Sequence, residues 1–256
     1  MVQRIEMHVL PDFPMVEPGD DLVAQITQSM ARANMRLQSD DVIVIAQKIV
    51  SKAENRYVYL NHVHVSAEAY SLAERTDKDP RLVQVILDQS VEVIKHRPGA
   101  IIVEHRLGYV HANAGIDQSN ISSDAKDPRV LLLPEDPDAS AAAIRAGLRE
   151  QCGVEVACII NDSAGRAWRN GTLGFAIGTA GFTPVVDLVG KKDLFGRALE
   201  ATTVAIADEL AAGASFLMGQ AAEAAPVVVI RGSKLPRDEV GSRGLLRAKA
   251  QDLFRS

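Results

Sequence analysis

The stretch VEVIKHRPGAIIVEHRLGYV, residues 91–110, decides the fold class. Residues 91–94, 100–105 and 109–110 are short apolar runs, separated by Pro98-Gly99 and by Gly108. Short runs with turn residues between them predict an antiparallel meander. N-terminal to it, residues 66–90 read as helix interrupted at Pro80. Pro18-Gly19-Asp20-Asp21 opens an earlier helix, with Asp20 or Asp21 as N-cap and Leu22, Val23, Ile26 and Met30 on its apolar face. Residues 41–46, DVIVIA, form a continuous apolar run that suits a strand buried on both faces. Ile5, Met7 and Val9 alternate with polar residues, as in a half-buried first strand. C-terminal to the meander, residues 130–133 read as a strand. Asp138 then caps an Ala-rich helix with Ile144 and Leu148 that stops at Gly153. Residues 154–160 are a further buried strand, and 173–188 offer one or two more. Residues 194–214 read as a helix, 227–230 as a last buried strand ended by Gly232, and 244–254 as a terminal helix.

Helix-rich ends around a β-rich middle predict an α+β protein. A doubly wound sheet would alternate strand and helix throughout. The expected organisation is two interleaved α+β domains. Residues 1–90 with 222–256 form the first, which is discontinuous. Residues 91–221 form the second, built on a largely antiparallel sheet.

Composition narrows the function. With 47% hydrophobic and 24% charged residues over 256 positions, the chain is an ordinary globular protein rather than a disordered or coiled-coil one. A net charge of -5 argues against non-specific nucleic-acid binding, which needs Lys and Arg to neutralise phosphates. Two cysteines, Cys152 and Cys158, are too few for a disulfide framework or a structural zinc site, and read as buried core residues. Residues 1–9 carry Arg4 and Glu6 with no apolar run of the signal-peptide kind. The longest uncharged stretch, 170–186, is too short and Gly-rich to span a membrane. The expectation is a soluble cytoplasmic protein with no membrane partner.

The familiar phosphate-loop, dinucleotide, nucleophile-elbow and HExxH patterns are absent. Gly171, Gly174, Gly178 and Gly181 have the wrong spacing for a dinucleotide fingerprint and read as tight β packing and turns. His111 reads as structural. What remains is HANAGIDQSN, residues 111–120, and NDSAGRAWR, residues 161–169, each following an apolar strand. Asp117 and Asp162 are either turn residues or strand-end carboxylates that converge on a divalent metal. Mg²⁺ and Mn²⁺ take hard oxygen ligands and keep waters and phosphate oxygens in their shell. Ser163 adds an oxygen, and Arg166 and Arg169 add positive charge beside it. Lysines in AQKIVSKAE, residues 46–54, are placed to bind nucleotide phosphates at a strand end. Gly219 reads as a helix stop, with Gln220 and Glu223 as further oxygen donors or plain loop residues.

Together these segments resemble the coenzyme F420-0:L-glutamate ligase family, the γ-glutamyl ligases of deazaflavin coenzyme biosynthesis. The matching stretches are DVIVIAQKIVSKAEN, HANAGIDQSN, LLPEDPDASA, NDSAGRAWRNGTLGFAIG, KKDLFGRALEAT and AIADELAAGASFLMGQAAEAAPVVVIRG. They occur in family order from Phe13 to Gly232. The resemblance implies an intertwined homodimer, GTP as co-substrate, two Mn²⁺ or Mg²⁺ sites and a K⁺ requirement. It implies Asp117 and Asp162 as catalytic carboxylates and ligands of one metal, with Ser163 and Gln220 as ligands of a second. It implies nucleotide contacts at Phe13, Pro14, Met15, Val16, Lys52 and Asn120, and at Met218, Gly219, Gln220, Ala221, Ala222, Glu223, Ala224 and Ala225. Gln47 and Lys48 fall in the same contact region, where a Ser or Thr pair can occur. Asn55 replaces a common Gly, a change a left-handed turn tolerates. The implied activity is a GTP-dependent, amide-forming ligation of L-glutamate to F420-0 through an acyl phosphate. The alternatives are a related ligase on another carboxylate, a metal-dependent phosphohydrolase, and a nucleotide-binding protein without catalysis.

Overall fold

The computed structural model describes residues 4–255. Met1 to Gln3, part of the stretch read for a leader, lie outside them. In chain order the elements are β1 (Glu6–Val9), α1 (Leu22–Arg32), β2 (Val42–Ala46), α2 (Gln47–Ala53), β3 (Tyr57–Tyr59), α3 (Ala67–Thr76) and α4 (Pro80–Asp88). β4 (Ser90–Arg97), β5 (Ala100–His105), β6 (Val110–Ala112), β7 (Arg129–Leu131), α5 (Pro137–Cys152), β8 (Ala157–Arg166) and β9 (Arg169–Ala180) follow. β10 (Val186–Asp187), β11 (Thr203–Val204), α6 (Ile206–Met218) and β12 (Val227–Arg231) complete the strands and α-helices. Among the described residues, no helix is long and apolar enough to cross a membrane.

A mixed sheet in the order β1-β12-β2-β8-β9 forms the main layer, with β2 and β8 parallel and the other pairs antiparallel. The run VIVIA needs both faces covered because successive side chains point to opposite sides. Ile43 and Ile45 pack with Ile26 of α1 and Leu148 of α5. Val42 and Val44 pack with Ala207, Leu210, Ala211 and Ala214 of α6. A separate core joins α3 and α4 to the small sheets: Leu72, Val83 and Ile86 meet Ile101, Val103, Val130 and Leu132. There β4-β5-β6 form the expected antiparallel meander, and β3 pairs with β7. The α+β class holds.

Several local expectations are corrected. The main sheet draws on residues 1–90, 222–256 and also 91–221, which supplies β8 and β9. The small core in turn takes α3 and α4 from residues 1–90. The division at residue 90 therefore does not follow the sheets: a buried apolar run reports burial on two faces but not which sheet it joins. Asp136, not Asp138, caps α5, accepting from Ala139 N at 3.0 Å. Pro137 occupies the first turn, and the Asp138 carboxylate instead takes the amides of Thr179 and Ser242, each at 2.8 Å. Residues 194–205 are not helical. Asp193 accepts from Phe195 N and Arg197 N, and Gly196 has φ 81°, making a turn that leads into the β10–β11 pair. Residues 244–254 form 3-10 turns rather than a helix. The expected cap at Asp21 and stops at Gly153 and Gly219 are present.

Cys158 is fully buried, and burial pushes its thiol up to about 12, but Cys152 is exposed rather than in the core. Alkylation of the native protein at neutral pH should therefore label Cys152 alone, with Cys158 reacting only after denaturation. Peptide mass mapping checks this. Labelling of both thiols in the folded protein would contradict the burial.

Candidate functional site

One cavity of about 610 Å³ opens where β2 ends, beside the middle of β8, a size in the ordinary range for small-ligand sites. Its walls come from residues 13–16, from α2, from the 117–122 loop, from β8 and from the loop after α6. Each wall has a local cause. β2 turns directly into α2 at Ala46, which puts Gln47, Lys48 and Lys52 at the sheet end. α2 was read as a strand end, because seven residues with no side-chain cap carry too little periodicity to register. Asp117 is fixed by reciprocal backbone hydrogen bonds with Leu131, each 2.9 Å. Asp162 lies within β8, not beyond it, immediately after a register shift at Ile160 and Asn161. Gly219 stops α6 with φ 73°, and Asn120 Nδ2 ties the following loop down by donating to Ala221 O at 2.8 Å.

Every residue for which a metal or nucleotide role was expected lines this cavity: Phe13 to Val16, Gln47, Lys48, Lys52, Asp117, Asn120, Asp162, Ser163, and Met218 to Ala225. Arg166 and Arg169 do not line it; they stand farther along the β8–β9 hairpin. Three polar lining residues carried no individual sequence signal: Asn161, Ser122 and Ser215.

His111, expected to be structural, is held against Asp162, a pairing the sequence does not show. Tyr109, whose hydroxyl donates to the Ile177 carbonyl, fixes the start of β6 against β9, and His111 faces β8 from the same segment. Its Nδ1 donates to Ala112 O at 2.9 Å, and Nε2 lies 3.1 Å from Asp162 Oδ2, a contact that favours the charged ring. Burial opposes that charge, but the Asp162 hydrogen bond and charge outweigh it, and the His111 pKa is raised. A lone histidine six residues before an aspartate is not a pattern that predicts this pairing.

The two carboxylates have different partners. Asp117 is held above the ordinary carboxylate range, first by burial and then by the Asp162 charge, against the pull of Lys48. Lys48 Nζ sits 3.1 Å from Asp117 Oδ1, and Gln47 Nε2 donates to Oδ2 at 2.5 Å. Asp162 Oδ1 takes the Ser163 amide at 2.7 Å. Lys52 is only 7% exposed, with no carboxylate or hydrogen-bond partner among the described residues. Burial, Lys48 and Arg129 all lower its pKa, while the Glu17 and Asp117 charges raise it. The Lys52 stem is buried while its Nζ keeps contact with the cavity, so an arriving anion would give the ammonium the partner it lacks.

A model of the F420-0:gamma-glutamyl ligase family matches residues 12–232. The chain belongs to this family. It is 46% identical over 244 residues to the coenzyme F420:L-glutamate ligase of Methanothermobacter thermautotrophicus, covering 94% of this chain and 95% of that protein. The ligase of the same name from Methanocaldococcus jannaschii is 42% identical over 245 residues, covering 96% and 95%. That of Archaeoglobus fulgidus is 37% identical over 252 residues, covering 98% and 97%.

The donor set fits the divalent metals expected from the family. Asp117, Asp162, Ser163 and Gln220 offer hard oxygens to one cavity, and Gln220 donates its amide to Ser215 at 3.0 Å, leaving its carbonyl oxygen open. Asn161 Oδ1 is buried without a hydrogen-bond partner. Among the described residues there is no cluster of three His, Cys, Asp or Glu. A shell here would be completed by neutral oxygens, water and phosphate, which is the habit of Mg²⁺ and Mn²⁺ rather than zinc.

Lys52→Ala should weaken nucleoside triphosphate binding at least tenfold while leaving the melting temperature about unchanged, since the charge it removes has no partner among the described residues. Calorimetric titration with GTP and a thermal melt check both halves. Unchanged nucleotide affinity would remove Lys52 from the phosphate site.

Proposed function

We propose that this chain joins the amine of L-glutamate to the carboxylate of F420-0 at the cost of GTP. The observation that carries the reading is the buried, unpaired Lys52 in the same cavity as the Asp117–Asp162 pair. It supports a polyanion, here a triphosphate, bound against carboxylates that take divalent ions.

In this reading an acceptor carboxylate oxygen attacks the γ-phosphorus of GTP. The bond to the β-phosphate oxygen breaks and GDP leaves, giving an acyl phosphate. The glutamate amine then adds to the acyl carbon, inorganic phosphate departs, and the nitrogen loses a proton to complete the amide. Phosphoryl transfer of this kind rests on positioning and charge neutralisation. Lys52 offsets triphosphate charge. Lys48, already bonded to Asp117 and to Ser119 O at 3.2 Å, holds the 117–120 loop against α2. His111 fixes the Asp162 carboxylate. Bound Mn²⁺ or Mg²⁺ at Asp117, Asp162, Ser163 and Gln220 would screen the charge on the transferring phosphoryl group. K⁺ dependence belongs to the same reading. So does a homodimer, for which the exposed Leu194 and Phe195 on the β10–β11 excursion offer apolar surface.

Purified protein incubated with F420-0, GTP, Mn²⁺ and L-glutamate, followed by mass spectrometry, tests the reading. The expected product is F420-0 extended by glutamate. Extension of a different carboxylate only would assign the chain to another ligation. Phosphate release without an amide would favour a phosphohydrolase.

A further inference from the structure

The β8–β9 hairpin continues past Asp162 and Ser163 and turns between the paired residues Arg166 and Arg169. Trp168 in this turn has φ 67°. That region crowds a bulky side chain, and turns that need it ordinarily carry Gly or Asn. Trp168 is 85% exposed, so little burial offsets the strain. Phe254 lies against one side of it, with ring centroids 5.9 Å apart and planes at 55°. The C-terminal residues hold Phe254 there: Arg255 pairs with Asp252 at 2.6 Å and with Glu104 at 2.8 Å, and Lys249 pairs with Glu92 at 2.7 Å. Arg166 donates to Gly171 O at 3.1 Å. Among the described residues neither Arg166 nor Arg169 has a carboxylate partner. The indole meets Phe254 on one side and is otherwise open, the two guanidinium groups beside it have no carboxylate among the described residues, and backbone strain held at such an open side chain points to a functional position.

We infer that Arg166, Trp168 and Arg169 form the seat of the acceptor, binding a flat aromatic ring that carries a phosphodiester. The inference rests on the function proposed above and deepens it. F420-0 bears its reacting carboxylate at one end, its deazaflavin ring at the other and a phosphodiester between them. Arg166 lies four residues beyond Asp162, roughly 13 Å along an extended strand. With the carboxylate at the phosphates beside Asp162, the rest of the molecule runs along the hairpin. The phosphodiester meets the arginines and the ring stacks on Trp168, opposite Phe254. The nucleotide does not compete for this seat, because its cavity does not include the turn.

Trp168 is the chain's only tryptophan, so its fluorescence reports on this one place. F420-0 binding is measured without GTP or glutamate for the wild type, Trp168→Gly, Trp168→Phe and the double variant Arg166→Ala/Arg169→Ala. The deazaflavin fluorescence serves as the signal for the variants. KM values for F420-0 and GTP, melting temperatures and sedimentation accompany it. Trp168→Gly should weaken F420-0 binding about tenfold or more, the size of one lost stacking partner. Its GTP KM should not change, and its melting temperature should stay level or rise as the strain is released. Trp168→Phe should keep most of the affinity, and the double arginine variant should lose as much as Trp168→Gly. Unchanged F420-0 affinity in Trp168→Gly and in the double variant, with ligation intact, would overturn the seat and leave the proposed function standing. A fall from dimer to monomer in Trp168→Gly with the same affinity would also overturn it, assigning the turn to a second copy of the chain. Failure of the wild type to ligate, with F420-0 still bound at Trp168, would remove the proposed function and keep the seat.

Discussion

Asp162→Asn is expected to lower ligation by about a hundredfold or more. Removing metal-borne charge stabilisation costs several kcal/mol, and each ~1.4 kcal/mol is a factor of ten. The change keeps shape, and an Asn oxygen can still take the Ser163 amide. It also takes away the carboxylate charge that Nε2 of the buried His111 faces, so a lower melting temperature should accompany the loss. Asp117→Asn should cost activity on the same scale with less effect on stability, because its partner Lys48 keeps a path to solvent. Turnover at saturating Mn²⁺ and Mn²⁺ affinity, measured on each variant alongside a thermal melt, separate chemistry from folding. Near-normal turnover with unchanged metal affinity in both would end the assignment of these carboxylates.

The largest expected effect on stability lies at Gly178. A Cβ built there would stand 2.3 Å from the Pro137 carbonyl oxygen and 2.5 Å from its carbon, which is backbone and cannot rotate away. Pro137 begins α5, so relief requires the whole helix to move off β9. Overpacking of this kind costs about 3 kcal/mol. For a chain of this length that corresponds to a fall in melting temperature of roughly 6–12 °C. Gly178→Ala should show that fall, with the residual activity at low temperature little changed, since Gly178 is not a cavity residue. A melting temperature equal to the wild type would mean that α5 is not seated on β9 as described.

These glycines also mark how far the sequence could be read. The spacing in GTLGFAIGTAG suggested close packing, and Gly174 meets Ala211 O and Ser215 Cβ of α6 as Gly178 meets α5. The continuous runs at β2 and β12 reported burial on both faces, and the structure covers both faces. What a run of valines and isoleucines does not encode is its neighbour: the order β1-β12-β2-β8-β9 is set by pairings between distant segments. The stretch 194–205 imitates a helix in composition, but Asp193 and Gly196 close a turn first. In the site, Asp117 and Asp162 were legible because carboxylates beside small polar residues stand out after apolar strands. His111 was not, because its importance lies in a contact with a strand 51 residues away. Lys52 was legible as a cation near a strand end. Only the fold reveals that it is buried and has nothing to pair with.

The central claim is that the cavity at Asp117, Asp162 and Lys52 activates a carboxylate by transfer of the γ-phosphoryl group. Phosphorus NMR of a complete reaction, run beside quantification of the amide, tests it most directly. The account predicts GDP and inorganic phosphate, each formed one for one with the amide and only when F420-0 and glutamate are both present. GMP with pyrophosphate, or GDP released without any amide, would contradict it.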